Sequence, residues 1–181
     1  MNEHPIYTIG HSTRSLEEFI ALLREHGVTL VADVRTVPRS RHNPQYNKDT
    51  LPESLAAAGI GYRHLLDLGG LRHTTAASVN TGWRNASFRG YADYMQTSGF
   101  EVGLEELLGL ARKETVAVMC AEAVPWRCHR SLIGDALTVR GIDVEDIISE
   151  GHTQPHHMTP FAHVDGLRIT YPPEETPNQR L

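Results

Sequence analysis

Apolar residues along the chain alternate between short, nearly continuous runs and spacings of three and four. Ile6 to Ile9 is a compact run ending at Gly10 and reads as a strand. Ser15 and Glu18 then form a capping box. It opens a helix running to about His26, with Leu16, Phe19, Ile20, Leu22 and Leu23 on one face and Gly27 as its stop. Thr29 to Val34 is a second apolar run, as expected of a strand covered on both faces of a parallel sheet. Leu51 to Ala58 predicts a short helix closed by Gly59, and Ile60 to Leu65 a third strand leading into Leu68, Gly69, Gly70 and Leu71. Val102 to Lys113 has helical spacing, Thr115 to Met119 is the clearest strand, Arg130 to Arg140 is a helix stopped at Gly141, and Val144 to Ile148 is a further strand.

Between these elements, Thr36 to Asp49 is a long loop, Arg72 to Arg89 is irregular, and Tyr91 to Met95 is helical. Phe161 to Tyr171 contains an Asp-Gly turn between β-like runs and predicts a hairpin. The alternation of strand and helix predicts an α/β fold. It is a single three-layer domain over residues 1–171, with a mostly parallel sheet of about five strands and helices on both faces, followed by a loose tail at 172–181.

Composition changes this picture little. The 181 residues are 40% hydrophobic and 22% charged, ordinary for a globular chain. No apolar run approaches the roughly 20 residues of a membrane span, and the N-terminus lacks a secretory pattern, so the expectation is a cytoplasmic protein without a membrane partner. In that setting Cys120 and Cys128 are expected to be reduced thiols.

Charge is more informative. The net charge of −5 argues against coating duplex nucleic acid, yet three stretches are free of acids: Arg35 to Lys48, Leu68 to Ala92 and Ala123 to Gly134. They carry Arg35, Arg39, Arg41, Arg72, Arg84, Arg89, Arg127 and Arg130. In open α/β sheets, ligands bind outside the carboxyl ends of the strands. The segments just past the predicted strands are the chemically rich ones, and together they predict a positive pocket.

Each candidate follows from its position. Cys120 leaves the Thr115–Met119 strand and precedes a helix whose N–H groups, with Arg127 and Arg130, would hold an anion and favour a thiolate; it is the candidate nucleophile, or else a small buried apolar residue. His11 and His129 are acid–base candidates, with hydrogen-bonded structural roles as the alternative. Asp33 and Arg35 fall on one side of their strand and can pair, which allows Arg35 either a ligand role or a structural one. Arg39, Arg41, Ser12, Gly69, Gly70 and Glu122 are candidate substrate contacts, and Trp83 is a candidate stacking surface for a base. No cofactor and no metal are expected. Adjacent positions on a helix point apart, so Cys128 and His129 would not share a zinc without help from His152, His156 or His157.

Tyr7 to Ser12, Asp33 to Arg35, Tyr62 with His64, Leu68 to Gly70, Phe88 to Met95, and Met119 to Glu122 followed by Cys128 to Arg130 together resemble the bacterial domain of unknown function 488 family, from near residue 6 to near residue 150. The resemblance implies fold kinship and carries no activity. A weaker similarity is to rhodanese-like sulfurtransferase domains, which share the Asp-Val-Arg strand and a cysteine loop. In those domains and in cysteine phosphatases the loop is shorter than Cys120 to Arg127 and lacks the break at Pro125; Met119 also replaces the histidine before the phosphatase cysteine.

Three functions fit these residues. The first is an enzyme, a cysteine-dependent transferase or hydrolase, acting on a phosphate-bearing or similar anionic small molecule. The second is a nucleotide or single-stranded nucleic-acid binding module. The third is a thiol redox sensor that closes a Cys120–Cys128 disulfide.

Overall fold

The computed structural model describes residues 4–173. Five strands run parallel: β1 (Ile6–Gly10), β2 (Leu30–Asp33), β3 (Gly61–His64), β4 (Val116–Cys120) and β5 (Val144–Ser149). A sixth, β6 (His152–Pro155), pairs antiparallel with β5, giving the order β3-β2-β4-β1-β5-β6. β7 (His163–Asp165) and β8 (Arg168–Thr170) make the expected hairpin, turning at Gly166 and Leu167 after Asp165.

β6 is the strand absent from the sequence reading. Its His-Thr-Gln-Pro composition has no apolar alternation, and it survives as an exposed edge strand ending in proline, where the missing donor is tolerated. The tail expected to be loose lies, from residue 174 on, outside the described residues.

Helices cover both faces of the sheet. α1 (Leu16–Glu25) is capped by Ser15, whose hydroxyl accepts from the Glu18 N–H, a cap of about 1 kcal/mol. Its Phe19, Leu22 and Leu23 pack with Leu51 and Leu55 of α2 (Leu51–Ala57) against Val31, Ala117 and Met119. On the other face, α3 (Ala86–Tyr94), α4 (Ser98–Ala111) and α5 (Arg130–Val139) bury Tyr91, Phe100, Leu104, Leu107, Leu132 and Leu137 against Ala32, Val116 and Val118. The period-two alternation of β4 therefore sends Ala117 and Met119 to the first face and Val116, Val118 and Cys120 to the second.

α3 begins five residues before the predicted start. Asn85 caps it by accepting from the Ser87 and Phe88 N–H groups, a signal hidden by the polar character of its first turn. The long loop after β2 is also less loose than expected: Pro44–Tyr46 is a 3₁₀ turn, and Tyr46 is fully buried, stacked on His11 with ring centroids 4.3 Å apart.

Candidate functional site

The ends of β1, β2 and β4 meet at one rim. β1 continues past Gly10 by pairing with the turn after β4: the His11 and Ser12 N–H groups donate to the Cys120 and Ala121 carbonyls, each at 2.9 Å. Gly10 is required for this approach, since a Cβ there would lie 1.5 Å from the Glu122 carbonyl oxygen. The cleft at this rim has a volume of about 340 Å³. Arg35, Arg39, Gly70, Cys120, Glu122, Arg127 and His129 of the expected set line it, so segments far apart in sequence do come together. Thr36, Val37, Leu71, Ser87, Phe88, Ala121 and Cys128 complete the lining.

The arginines divide into two kinds. Arg39 and Arg127 are exposed at the mouth. Arg35 is 7% exposed; its Nε and Nη2 donate to the two Asp33 oxygens at 2.9 and 2.8 Å, and Nη2 also donates to the Tyr46 carbonyl at 2.7 Å. Tyr62 adds a hydroxyl donor to Asp33. Bidentate pairing and burial leave Arg35 one edge toward the cleft, so its first task is to fix the end of β2. Arg41 is exposed on the loop outside the lining.

Arg130 differs most from expectation. It is 1% exposed and stands behind the cysteine turn, where Nη1 donates to Thr8 Oγ1 at 2.8 Å and Nη2 to the Glu122 and Ala123 carbonyls at 3.1 and 3.0 Å. Thr8 in turn donates to Asp146 Oδ1. The guanidinium is sealed from the cleft, and its charge bears on both thiols, Cys120 and Cys128. Burial alone would raise the Cys120 thiol; the neighbouring Cys128, the Arg130 charge and the Glu122 backbone outweigh it and bring Cys120 below the ordinary thiol range. Arg130 Nε has no hydrogen-bond partner among the described residues. Cys128 moves the other way: burial and the neighbouring Cys120 push it well up.

The N–H groups at the start of α5, expected to hold an anion, are already engaged. Arg130 N–H donates to Cys128 Sγ at 3.5 Å, Ser131 to the Cys128 carbonyl and Leu132 to the His129 carbonyl. The expectation that Cys128 and His129 point apart also fails. Cys128 is still extended (φ −138°, ψ 147°) before the helix begins, and its Sγ lies 3.6 Å from His129 Nδ1.

His129 donates from Nε2 to the Val34 carbonyl at 2.8 Å, which leaves Nδ1 bare toward Cys128. Burial lowers its pKa to about 4 despite the backbone acceptors, so the ring is neutral at physiological pH. Gly70 makes room for the ring: a Cβ there would sit 2.6 Å from Nδ1. His129 was an acid–base candidate with a hydrogen-bonded structural role as the alternative; its sulfur neighbour is Cys128. His11 is buried behind Arg35 and does not line the cleft. Its Nδ1 donates to the Ser12 carbonyl at 2.8 Å, Nε2 accepts from Arg35 Nη1 at 3.4 Å, and burial lowers its pKa, a neutral ring used for support.

Of the remaining candidates, Ser12 holds a left-handed backbone (φ 49°), Gly69 is buried beside Thr36, and Glu122 exposes its side chain at the rim while its carbonyl accepts from Cys120 Sγ at 3.5 Å and from Arg130. Trp83 is not at this cleft. It packs against Phe88, Phe161 and Tyr171 and lines a separate cavity of about 350 Å³ with Trp126 and His156. Thr8 and Asp146 are the buried polar positions behind the cysteine turn that the sequence did not single out: Thr8 is a lone polar residue in an apolar strand, and Asp146 follows Glu145 in β5. Among the described residues no group of three or more His, Cys, Asp or Glu is placed to hold a metal ion, and no helix is long and apolar enough to cross a membrane.

Fold and site together define an α/β domain with two thiols at a strand-end cleft. The chain belongs to the family described as domain of unknown function DUF488, which matches residues 15–137. No curated protein and no solved structure matches it, and the similarity to rhodanese-like domains gains no support from these comparisons.

Proposed function

We propose that the protein is a cysteine-dependent enzyme acting on a phosphate-bearing or similar anionic small molecule, with Cys120 as its nucleophile. One observation carries this reading: a thiol at the floor of a cleft is backed by a buried guanidinium, while two further guanidinium groups stand exposed at the cleft mouth. Arg130 favours the thiolate without competing for substrate, and Arg39 and Arg127 attract and orient the anion. The cleft is lined by Val37, Leu71 and Phe88 as well, so the body of the substrate has apolar surface to rest on and water is partly excluded from the sulfur.

In a transfer or hydrolysis, Cys120 would attack the electrophilic atom held above it, and the leaving group would take its proton from solvent at the open mouth. Arg35 and His11 support this arrangement by holding the β2 end and the rim in place. Labelling with iodoacetamide at neutral pH, read by peptide mass spectrometry, tests the reading. Cys120 should react ahead of Cys128, inorganic phosphate should slow that reaction, and the double variant Arg39→Ala Arg127→Ala should lose the protection. Slow and equal labelling of both thiols, unaffected by phosphate, contradicts it.

A further inference from the structure

Two thiols share this cleft, and the reading above uses one. We infer that Cys128 is a resolving cysteine and that the substrate class is a low-molecular-weight disulfide carrying carboxylates, which the site reduces. This rests on Cys120 being the nucleophile.

The geometry supplies each part. Cys120 and Cys128 both line the cleft, at the two ends of the turn that Arg130 ties together through the Glu122 and Ala123 carbonyls. Cys120 Sγ contacts the Glu122 carbonyl at 3.5 Å, and Cys128 Sγ lies 3.5 Å from the Arg130 N–H and 3.6 Å from the bare Nδ1 of His129. Burial and the neighbouring Cys120 push the Cys128 thiol up, while Cys128, Arg130 and the Glu122 backbone bring the Cys120 thiol down. One thiol is thus prepared to attack first and its neighbour is held back.

The chemistry balances in two steps. Cys120 thiolate attacks one sulfur of the substrate: a Cys120–substrate disulfide forms, the substrate S–S bond breaks, and the electron pair departs with the first half as a thiolate. Cys120 is then uncharged. The negative charge that held the Cys128 proton in place is gone, and Arg130 is free to stabilise a second thiolate. The Cys128 proton passes to His129 Nδ1 and on to the departed thiolate. Cys128 then attacks the Cys120 sulfur, a Cys120–Cys128 disulfide forms, and the second half leaves as a thiolate that is protonated by solvent. The substrate gains two electrons and the protein dithiol loses them; two equivalents of a low-molecular-weight thiol return the pair to the reduced state. Arg39 and Arg127 at the mouth fit the carboxylates of such a substrate.

The test uses the reduced full chain and oxidised glutathione, followed by intact and peptide mass spectrometry. The wild-type chain should lose two hydrogens, gain an internal Cys120–Cys128 disulfide and show no lasting adduct. Cys128→Ser should stop midway, carrying about one glutathionyl group per chain on Cys120; Cys128→Ala serves the same purpose if serine disturbs the packing, with circular dichroism as the check on folding. A wild-type chain that accumulates the adduct, or an adduct on Cys128 in Cys120→Ser, overturns the resolving role. If Cys120 is alkylated ahead of Cys128 but no disulfide forms, the resolving role fails while the nucleophile stands; if neither occurs, both fail.

Discussion

The guanidinium of Arg130 donates from Nη1 to Thr8 Oγ1 at 2.8 Å, and the Thr8 hydroxyl donates in turn to Asp146 Oδ1. Thr8 lies on β1, Asp146 on β5 and Arg130 on α5, so the electrostatics behind Cys120 are set by three elements at once. Thr8→Val removes the acceptor for a buried cation and should cost about 1–3 kcal/mol in urea unfolding. The same variant should raise the pH at which Cys120 becomes reactive, because the guanidinium is no longer fixed. Thr8→Ser, which keeps the hydroxyl, should restore that reactivity even if some packing is lost.

The two kinds of arginine predict opposite behaviour. Arg35→Ala leaves Asp33 buried without its partner and should destabilise the fold by about 3–5 kcal/mol. Arg39→Ala, at an exposed position, should change unfolding by less than about 0.5 kcal/mol while weakening protection of Cys120 by phosphate. Paired urea titrations and labelling measurements on the two variants separate the roles.

Gly10→Ala should be the most damaging small substitution at the rim. The added Cβ would meet backbone, the Glu122 carbonyl at 1.5 Å, so β1 and the cysteine turn would have to part. A loss above about 4 kcal/mol, or failure to fold, is expected in thermal or urea unfolding.

His156 makes stability depend on pH in a definite direction. Burial works against its charge, but hydrogen bonds and charges from Asp135 and Asp146 outweigh this and raise its pKa to about 9. A pKa raised on folding contributes stability that is complete below the unfolded value of about 6.5 and is lost as pH rises through about 9. The ring is 5% exposed, and the contribution at stake is on the order of 3 kcal/mol. Urea midpoints should fall across that alkaline window in the wild-type chain, and His156→Gln should flatten the decline.

The parallel sheet and its helices were legible because they depend on local periodicity. Ile6–Ile9 and Leu30–Val34 are apolar runs broken only by Thr8 and Asp33, Val116–Met119 is apolar throughout, and Ser15 with Glu18 announces α1. The rim was legible for a topological reason, since parallel strands bring their carboxyl ends together and the chemically rich residues stand just past them. What the sequence could not convey is which polar groups face the cleft and which face inward. Arg35, Arg127 and Arg130 look alike in a chain of letters. The pairing of Arg35 with Asp33 was readable from alternation, whereas the burial of Arg130 depends on Thr8 and Asp146, which are 122 and 16 positions away from it. The same holds for Trp83: its partners Phe161 and Tyr171 come from the C-terminal hairpin region and take it away from the cleft.

The central claim is that a buried guanidinium favours the Cys120 thiolate. The rate of Cys120 alkylation as a function of pH, resolved from that of Cys128 by peptide mass spectrometry, measures this directly. The Cys120 profile should have its midpoint below that of a free thiol, and the Cys128 profile should lie well above it. A Cys120 midpoint at or above the free-thiol value contradicts the account.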